Sequence, residues 1–168
     1  MPRSFDLSAD YHGTVEQVHS TFSDEEYWLA RLADSGADIA TLDSIVVADD
    51  GTVTVATTQM LRRDRLPGMV SQFHPRDLAI VRNERWSPLY DGVTHAQVFG
   101  AVPGAPVSLA GTAVLAPKDV GSRLKFTATV EVSIPMVGGK LESFIGSKLA
   151  EFVAAEQRFT TVWIVENT

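Results

Sequence analysis

Arg82 and Glu84 stand two residues apart in Leu78-Ala-Ile80-Val-Arg82-Asn-Glu84-Arg-Trp86, where period-2 spacing puts both on the face that carries Leu78, Ile80 and Trp86. A guanidinium beside a carboxylate on an otherwise apolar strand face has a definite chemistry. Arg grips a carboxylate or phosphate head group through two parallel hydrogen bonds. The neighbouring carboxylate orients the ligand or, with its pKa raised by apolar surroundings, moves a proton. A hairpin upstream offers a second polar row, because the face holding Ile45, Val47, Val53 and Val55 also holds Asp43, Thr57 and Gln59 by parity. If these faces turn inward, Arg82 and Glu84 form a buried charged pair near Asp43, Thr57 and Gln59. An unpaired charge is too costly to bury, so the inward arrangement demands such partners. A twist or bulge would instead send Arg82 and Glu84 to solvent as an exposed pair.

Other chemistries lose ground quickly. The chain has no cysteine, which removes thiol nucleophiles, thiolate zinc sites, iron–sulfur clusters and thiol redox switching. His12, His19, His74 and His95 are scattered without a two-histidine ligand spacing, and no metal or cofactor is expected. His95 and Gln97 have the parity opposite to Ala96 and Val98, so His95 reads as a surface residue. No serine sits in a Gly-x-Ser-x-Gly turn, and no glycine-rich loop is built to cradle phosphate. A net charge of −7 argues against nucleic acid, and the one basic cluster, Arg62-Arg63-Asp64-Arg65, reads as a solvated loop. No run reaches the ~18 apolar residues of a membrane helix. The start, Met1 to Ala9, goes straight into alternation without the apolar region of a signal peptide, so the cytoplasm is the expected compartment.

The elements that must hold these side chains follow from periodicity. At 168 residues, 45% of them hydrophobic, the chain fits one domain over 1–168 with a single core. Phe5, Leu7 and Ala9 share the face of a first strand. Thr14 with Gln17 three residues later signals a capped helix, and Ser23 before Asp24, Glu25 and Glu26 signals another that ends near Ser35-Gly36. Strands then follow at about 42–48, 53–61, 78–86, 93–102, 107–116 and 123–134, with Asp49-Asp50-Gly51 marking a hairpin that sets Ile45 against Val55 and Val47 against Val53. Between residues 64 and 77, Met69, Val70 and Phe73 either plug the core or gate a cavity.

Leu141, Ile145, Leu149, Phe152, Glu156, Phe159 and Trp163 recur at helical spacing to about Val165, roughly 25–28 residues or about 40 Å of helix. Gly138 and Gly139 mark a sharp corner before it, with Lys140 and Glu142 on its wet face. Leu149, Phe152 and Val153 near its middle are expected to face Phe126, Ala128 and Val130 of the last strand, with small Ala128 leaving room.

One strand, two short helices, six more strands and a long final helix is the order of the helix-grip fold of START-like and birch-pollen-allergen-like proteins. Met1-Pro-Arg-Ser-Phe-Asp-Leu-Ser-Ala, Gly51-Thr-Val-Thr-Val-Ala-Thr-Thr-Gln, Leu66-Pro-Gly, Val102-Pro-Gly-Ala-Pro and Val137-Gly-Gly-Lys-Leu-Glu-Ser-Phe-Ile resemble an actinobacterial family of that START-like (SRPBCC) superfamily. The family has no catalytic motif to carry over. The resemblance implies an α+β fold, a seven-stranded curved antiparallel sheet around a long C-terminal helix, with a cavity that holds lipids, sterols, polyketides or other apolar molecules.

The expected ligand-binding set is Asp43, Thr57, Gln59, Met69, Phe73, Arg82, Glu84, Trp86, Phe126, Ala128, Val130, Leu149, Phe152 and Val153, in a monomer or homodimer. Two rivals stand beside a carrier of apolar or amphipathic molecules. One is an aromatase/cyclase- or dehydratase-like enzyme with Glu84, Asp43 or His95 as an inward acid or base. The other is a partner-binding domain whose core is filled.

Overall fold

A computed structural model describes residues 2–72 and 76–168. Its elements run β1 (Arg3–Tyr11), α1 (Val15–Phe22), α2 (Glu25–Asp34), β2 (Ile39–Val47), β3 (Val53–Leu61), a 3-10 turn (Arg63–Arg65), α3 (Gly68–Ser71), β4 (Leu78–Trp86), β5 (Thr94–Ala101), β6 (Val107–Lys118), β7 (Gly121–Val132) and α4 (Gly138–Glu166). The seven strands form one antiparallel sheet in the order β1-β7-β6-β5-β4-β3-β2. Consecutive strands are neighbours from β2 to β7, and β1 joins the far side of β7. In chain order, α1 and α2 fall between β1 and the other six strands. This is the expected α+β helix-grip architecture.

Local chemistry explains the boundaries. The Thr14 hydroxyl accepts from the Gln17 amide while the Gln17 side chain accepts from the Thr14 amide, which closes the start of α1 from both sides. The expected cap of α2 shifts by one residue. Ser23 closes α1 instead, its hydroxyl donating to the Ser20 carbonyl at 2.6 Å, and Asp24 caps α2 by accepting from the Glu26 amide at 3.0 Å. In the β2–β3 turn, Gly51 takes φ +97°, a conformation that a residue with a Cβ resists.

The corner before α4 differs from expectation. Gly138 is not in the left-handed region; Met136 is, with φ +71° and its side chain fully in solvent. Gly138 is needed because a Cβ there would overlap the Val132 carbonyl oxygen. Glu142 does not lie on a wet face but is fully buried, accepting the Val132 amide at 2.9 Å with Arg3 4.0 Å away. It ties the first turn of α4 to the end of β7.

The closest neighbours of α4 are β1 and β7. A Cβ on Gly146 would overlap the Phe5 ring, so glycine lets the helix approach β1 closely. Gln157 adds a hydrogen bond to the Asp10 carbonyl at 2.6 Å. The helix is thus seated over one side of the sheet, and α1 and α2 close one end of the concavity. Phe22 meets Trp86 with ring centroids 4.8 Å apart, and Tyr27, Trp28, Phe159 and Trp163 extend the aromatic layer. Val15, Val18, Val53, Val55 and Leu115 complete this main core.

Candidate functional site

The strand registers lay the inward side chains out in rows across the concave face. The first runs Val53, Trp86, Ala96, Ala113, Phe126 and Leu7. The second is Ile45, Val55, Glu84, Val98, Gly111, Ala128 and Phe5, and the third is Leu42, Thr57, Arg82, Gly100, Leu109 and Val130. The middle of the last two rows is poor in side-chain volume, with glycine at 100 and 111. The Phe126 ring fills part of that gap, since a Cβ on Gly111 would come within 2.5 Å of it.

Arg82 and Glu84 point inward. The Arg82 Nε donates to Glu84 Oε2 at 3.0 Å, and its two terminal nitrogens grip both oxygens of Glu156 on α4 at 2.9 and 3.2 Å. Arg31 on α2 reaches the same carboxylate with Nη2 2.5 Å from Oε2, while its Nη1 donates to the Tyr27 hydroxyl at 3.2 Å. Tyr27 in turn bonds the Thr160 hydroxyl, which donates to the Glu156 carbonyl. The Trp86 indole N–H donates to Glu84 Oε1 at 3.3 Å. The Arg31 guanidinium lies over Trp28, 4.5 Å from the ring centroid. Four charges from α2, β4 and α4 therefore meet as two cations and two anions.

Burial by itself would raise the Glu156 carboxyl, but Arg31 and then Arg82 outweigh it and hold the group at about 2. Burial likewise disfavours the charged guanidinium of Arg31 and of Arg82, and Glu156 and Glu84 reverse this and push both above the ordinary arginine value. Burial drives the Tyr11 and Tyr27 hydroxyls well up. Arg31, Arg82, Glu156 and Tyr27 are thus each locked in one protonation state at neutral pH. The cluster is not sealed, however: the Arg82 and Glu156 side chains keep 25% and 29% of their surface accessible. They face the space between helix and sheet.

The expected residues divide by position. Thr57, Glu84 and Trp86 are buried in the rows, and Gln59 is half-buried in the next row opposite Ile80. Leu149 and Val153 are half-buried against the core from α4, as expected, but Phe152 is 51% exposed. Ala128 and Val130 have 0% accessible surface, so the strip of β7 that was to leave room is covered. Met69 on α3 packs against the Val130, Val132 and Leu141 cluster. The segment after β3 thus reaches across the open end of the concavity. Phe73 lies outside the described residues.

Asp43 is a correction. The β2–β3 pairing slips between Leu42 and Ser44, which inserts Asp43 as an extra residue and turns it to the outer face, where it accepts from Thr58 Oγ1 at 2.6 Å. Leu42 takes the inward place opposite Thr57. His95 is exposed on the outer face, as its parity required. Arg31, Tyr27, Glu156 and Thr160 join the site without having been singled out as ligand contacts. A visible signal existed for one of them, because Glu156 interrupts an otherwise apolar helical stripe.

Among the described residues, no group of three or more His, Asp or Glu side chains is placed to hold a metal ion, and no helix is long and apolar enough to cross a membrane. The outer face carries two shallow depressions of about 240 and about 620 Å³, bordered by residues such as Phe99 and Thr129, and Arg85, His95 and Val114.

Residues 6–164 match the model of a family described as a protein of unknown function, DUF2505. The chain belongs to the DUF2505 family. It is 51% identical over 173 residues to an uncharacterised protein of Mycobacterium tuberculosis (strain ATCC 25618 / H37Rv), with 99% of each chain covered. An uncharacterised protein of Mycobacterium bovis matches to the same degree. Among solved structures, a protein from Thermus thermophilus superposes with a TM-score of 0.64 at 15% identity, covering 99% of both chains. Norcoclaurine synthase from Thalictrum flavum gives 0.56 at 13% identity over 99% of this chain and 88% of that one. Ara h 8.0201 gives 0.55 at 7% identity over 99% and 100%. This DUF2505 chain therefore shares the helix-grip fold with proteins of very different sequence, and at such identities the likeness concerns the fold alone.

Proposed function

We propose that this DUF2505 protein binds an apolar or amphipathic small molecule, lipid-, sterol- or polyketide-like, in the groove between α4 and the concave face of β2–β6. The observation that carries this reading is the accessible surface kept by side chains that point between helix and sheet. Leu42, Gln59, Ile80, Arg82, Leu109, Leu149 and Val153 are all only half-buried there, whereas a filled interior would cover them. The seating of α4 over β1 and β7 leaves this strip of sheet beneath a partial roof. Affinity would come mainly from apolar burial at about 25 cal/mol per Å², with the charged cluster as the polar end. Met69 and α3 stand at the entrance. The protein acts in the cytoplasm, as a monomer or homodimer, and needs no cofactor.

The carrier reading is favoured over the enzyme reading by the state of the candidate acids and bases. Asp43 and His95 are on the outer face, Glu84 is engaged by Arg82 and Trp86, and Glu156 is held far below neutrality. The test is native mass spectrometry of protein purified without detergent, followed by organic extraction, on the wild type and on Val153→Trp, which fills the groove. A defined compound that travels with the wild type and is lost from the variant supports the proposal. Wild-type protein that stays bare after incubation with a lipid mixture refutes it and favours the filled-core reading.

A further inference from the structure

The charge count of the cluster restricts the polar end of the ligand. Arg31 and Arg82 are balanced by Glu84 and Glu156, so the assembled site is neutral before any ligand arrives. Arg82 makes three hydrogen bonds, from Nε to Glu84 and from Nη1 and Nη2 to Glu156, and its Nη2 also lies 2.8 Å from Glu84 Oε2 as an ion pair. One N–H on Nη1 is left without a partner among the described residues, on a side chain that keeps a quarter of its surface open to the groove. Glu156 Oε2 already receives two donors, whereas Oε1 receives one.

A carboxylate or phosphate accepting the spare Nη1 N–H would add a third anion to two cations. An ammonium would add a third cation. Either leaves an uncompensated charge in a partly desolvated site, which is the costly case. A neutral oxygen accepts the spare Nη1 N–H and leaves the balance intact. Resting on the groove reading above, we infer that the ligand is an uncharged amphiphile that presents a hydroxyl or carbonyl oxygen to Arg82, and not a fatty-acid anion, a phosphate ester or an amine. This inverts the expectation drawn from the sequence, in which Arg82 was free to grip an anion.

The experiment compares three probes of equal chain length, 1-decanol, decanoate and decylamine, titrated at pH 8 below their aggregation limits and read by tryptophan fluorescence, with Trp86 in contact with the cluster. Decanol is expected to bind at least tenfold more tightly than decanoate or decylamine, and 2-undecanone to follow decanol. Glu84→Gln, checked for native circular dichroism, leaves the cluster one positive charge in excess and should move the preference toward decanoate. Decanoate binding to the wild type as tightly as decanol overturns the inference and leaves the groove reading standing. Binding by none of the four probes overturns the groove reading and this inference with it.

Discussion

Glu156→Gln is the perturbation with the most calculable consequence. The native carboxyl sits at about 2 against an ordinary value of 4.5, held there by Arg31 and Arg82 despite burial. At about 1.4 kcal/mol per pKa unit, the ionised group's differential stabilisation of the fold is about 3 kcal/mol. The substitution also leaves two guanidinium groups facing one carboxylate, Glu84, and breaking a buried pair from one side costs about 3–5 kcal/mol. The partial exposure of both partners places the expectation at the lower end, about 3 kcal/mol. For a domain of this length that lowers Tm by about 6–12 °C. Urea unfolding followed by tryptophan fluorescence, with circular dichroism to check two-state behaviour, measures it. The double change Arg31→Met with Glu156→Met restores the charge balance around Arg82 and Glu84, so its loss should fall well short of the sum of the two single losses. A loss below about 1 kcal/mol for Glu156→Gln, the level of an exposed ion pair, or strictly additive single changes, would refute the coupling described here.

Other outcomes rest on the same geometry. The depressed Glu156 pKa means its contribution is fully present above about pH 4.5 and is lost as pH falls toward 2; acid titration of stability should be shallower across that window in Glu156→Gln than in the wild type. Tyr27→Phe removes a hydroxyl shared between Arg31 and Thr160 and should cost about 1–2 kcal/mol in the same urea assay. Gly146→Ala, which would gain helix propensity on an open surface, should instead destabilise by about 1–3 kcal/mol because its methyl meets the Phe5 ring, and Phe5→Leu should recover part of that loss. Lengthening an alcohol probe by two methylenes should tighten binding about tenfold, at about 0.8 kcal/mol per buried CH₂, as measured by titration.

Much of the fold was legible because periodicity is a local signal. Two strands, Val53–Leu61 and Leu78–Trp86, have the bounds expected from their apolar and β-branched runs and the turn residues beside them, and the Asp50-Gly51 turn fixes the hairpin register. The inward set of Arg82, Glu84 and Trp86 follows from the same period once the face of one member is known. Asp43 was misplaced for an equally physical reason: a bulge adds a single residue, and in a period-2 structure one residue reverses the face. Glu142 is expected on the wet face from its charge, although its spacing from Ile145 and Leu149 puts it at the edge of the apolar stripe, and the return of α4 beneath Val132 gives its carboxylate an amide to accept. Arg31 and Tyr27 lie one helical turn apart on a short helix that resembles many surface helices. Their role depends on α2 meeting α4, a long-range contact that no spacing encodes.

In the proposed function, the space under α4, and not the outer face, takes the ligand. Methyl ¹H–¹³C spectra recorded during titration with 1-decanol test it directly, because leucine, isoleucine and valine methyls report from both sides of the sheet. Saturable shifts are expected at Leu42, Ile80, Leu109, Leu149 and Val153, with Val46 and Val114 unmoved. Shifts confined to Val114 and its neighbours around the outer depression would contradict it.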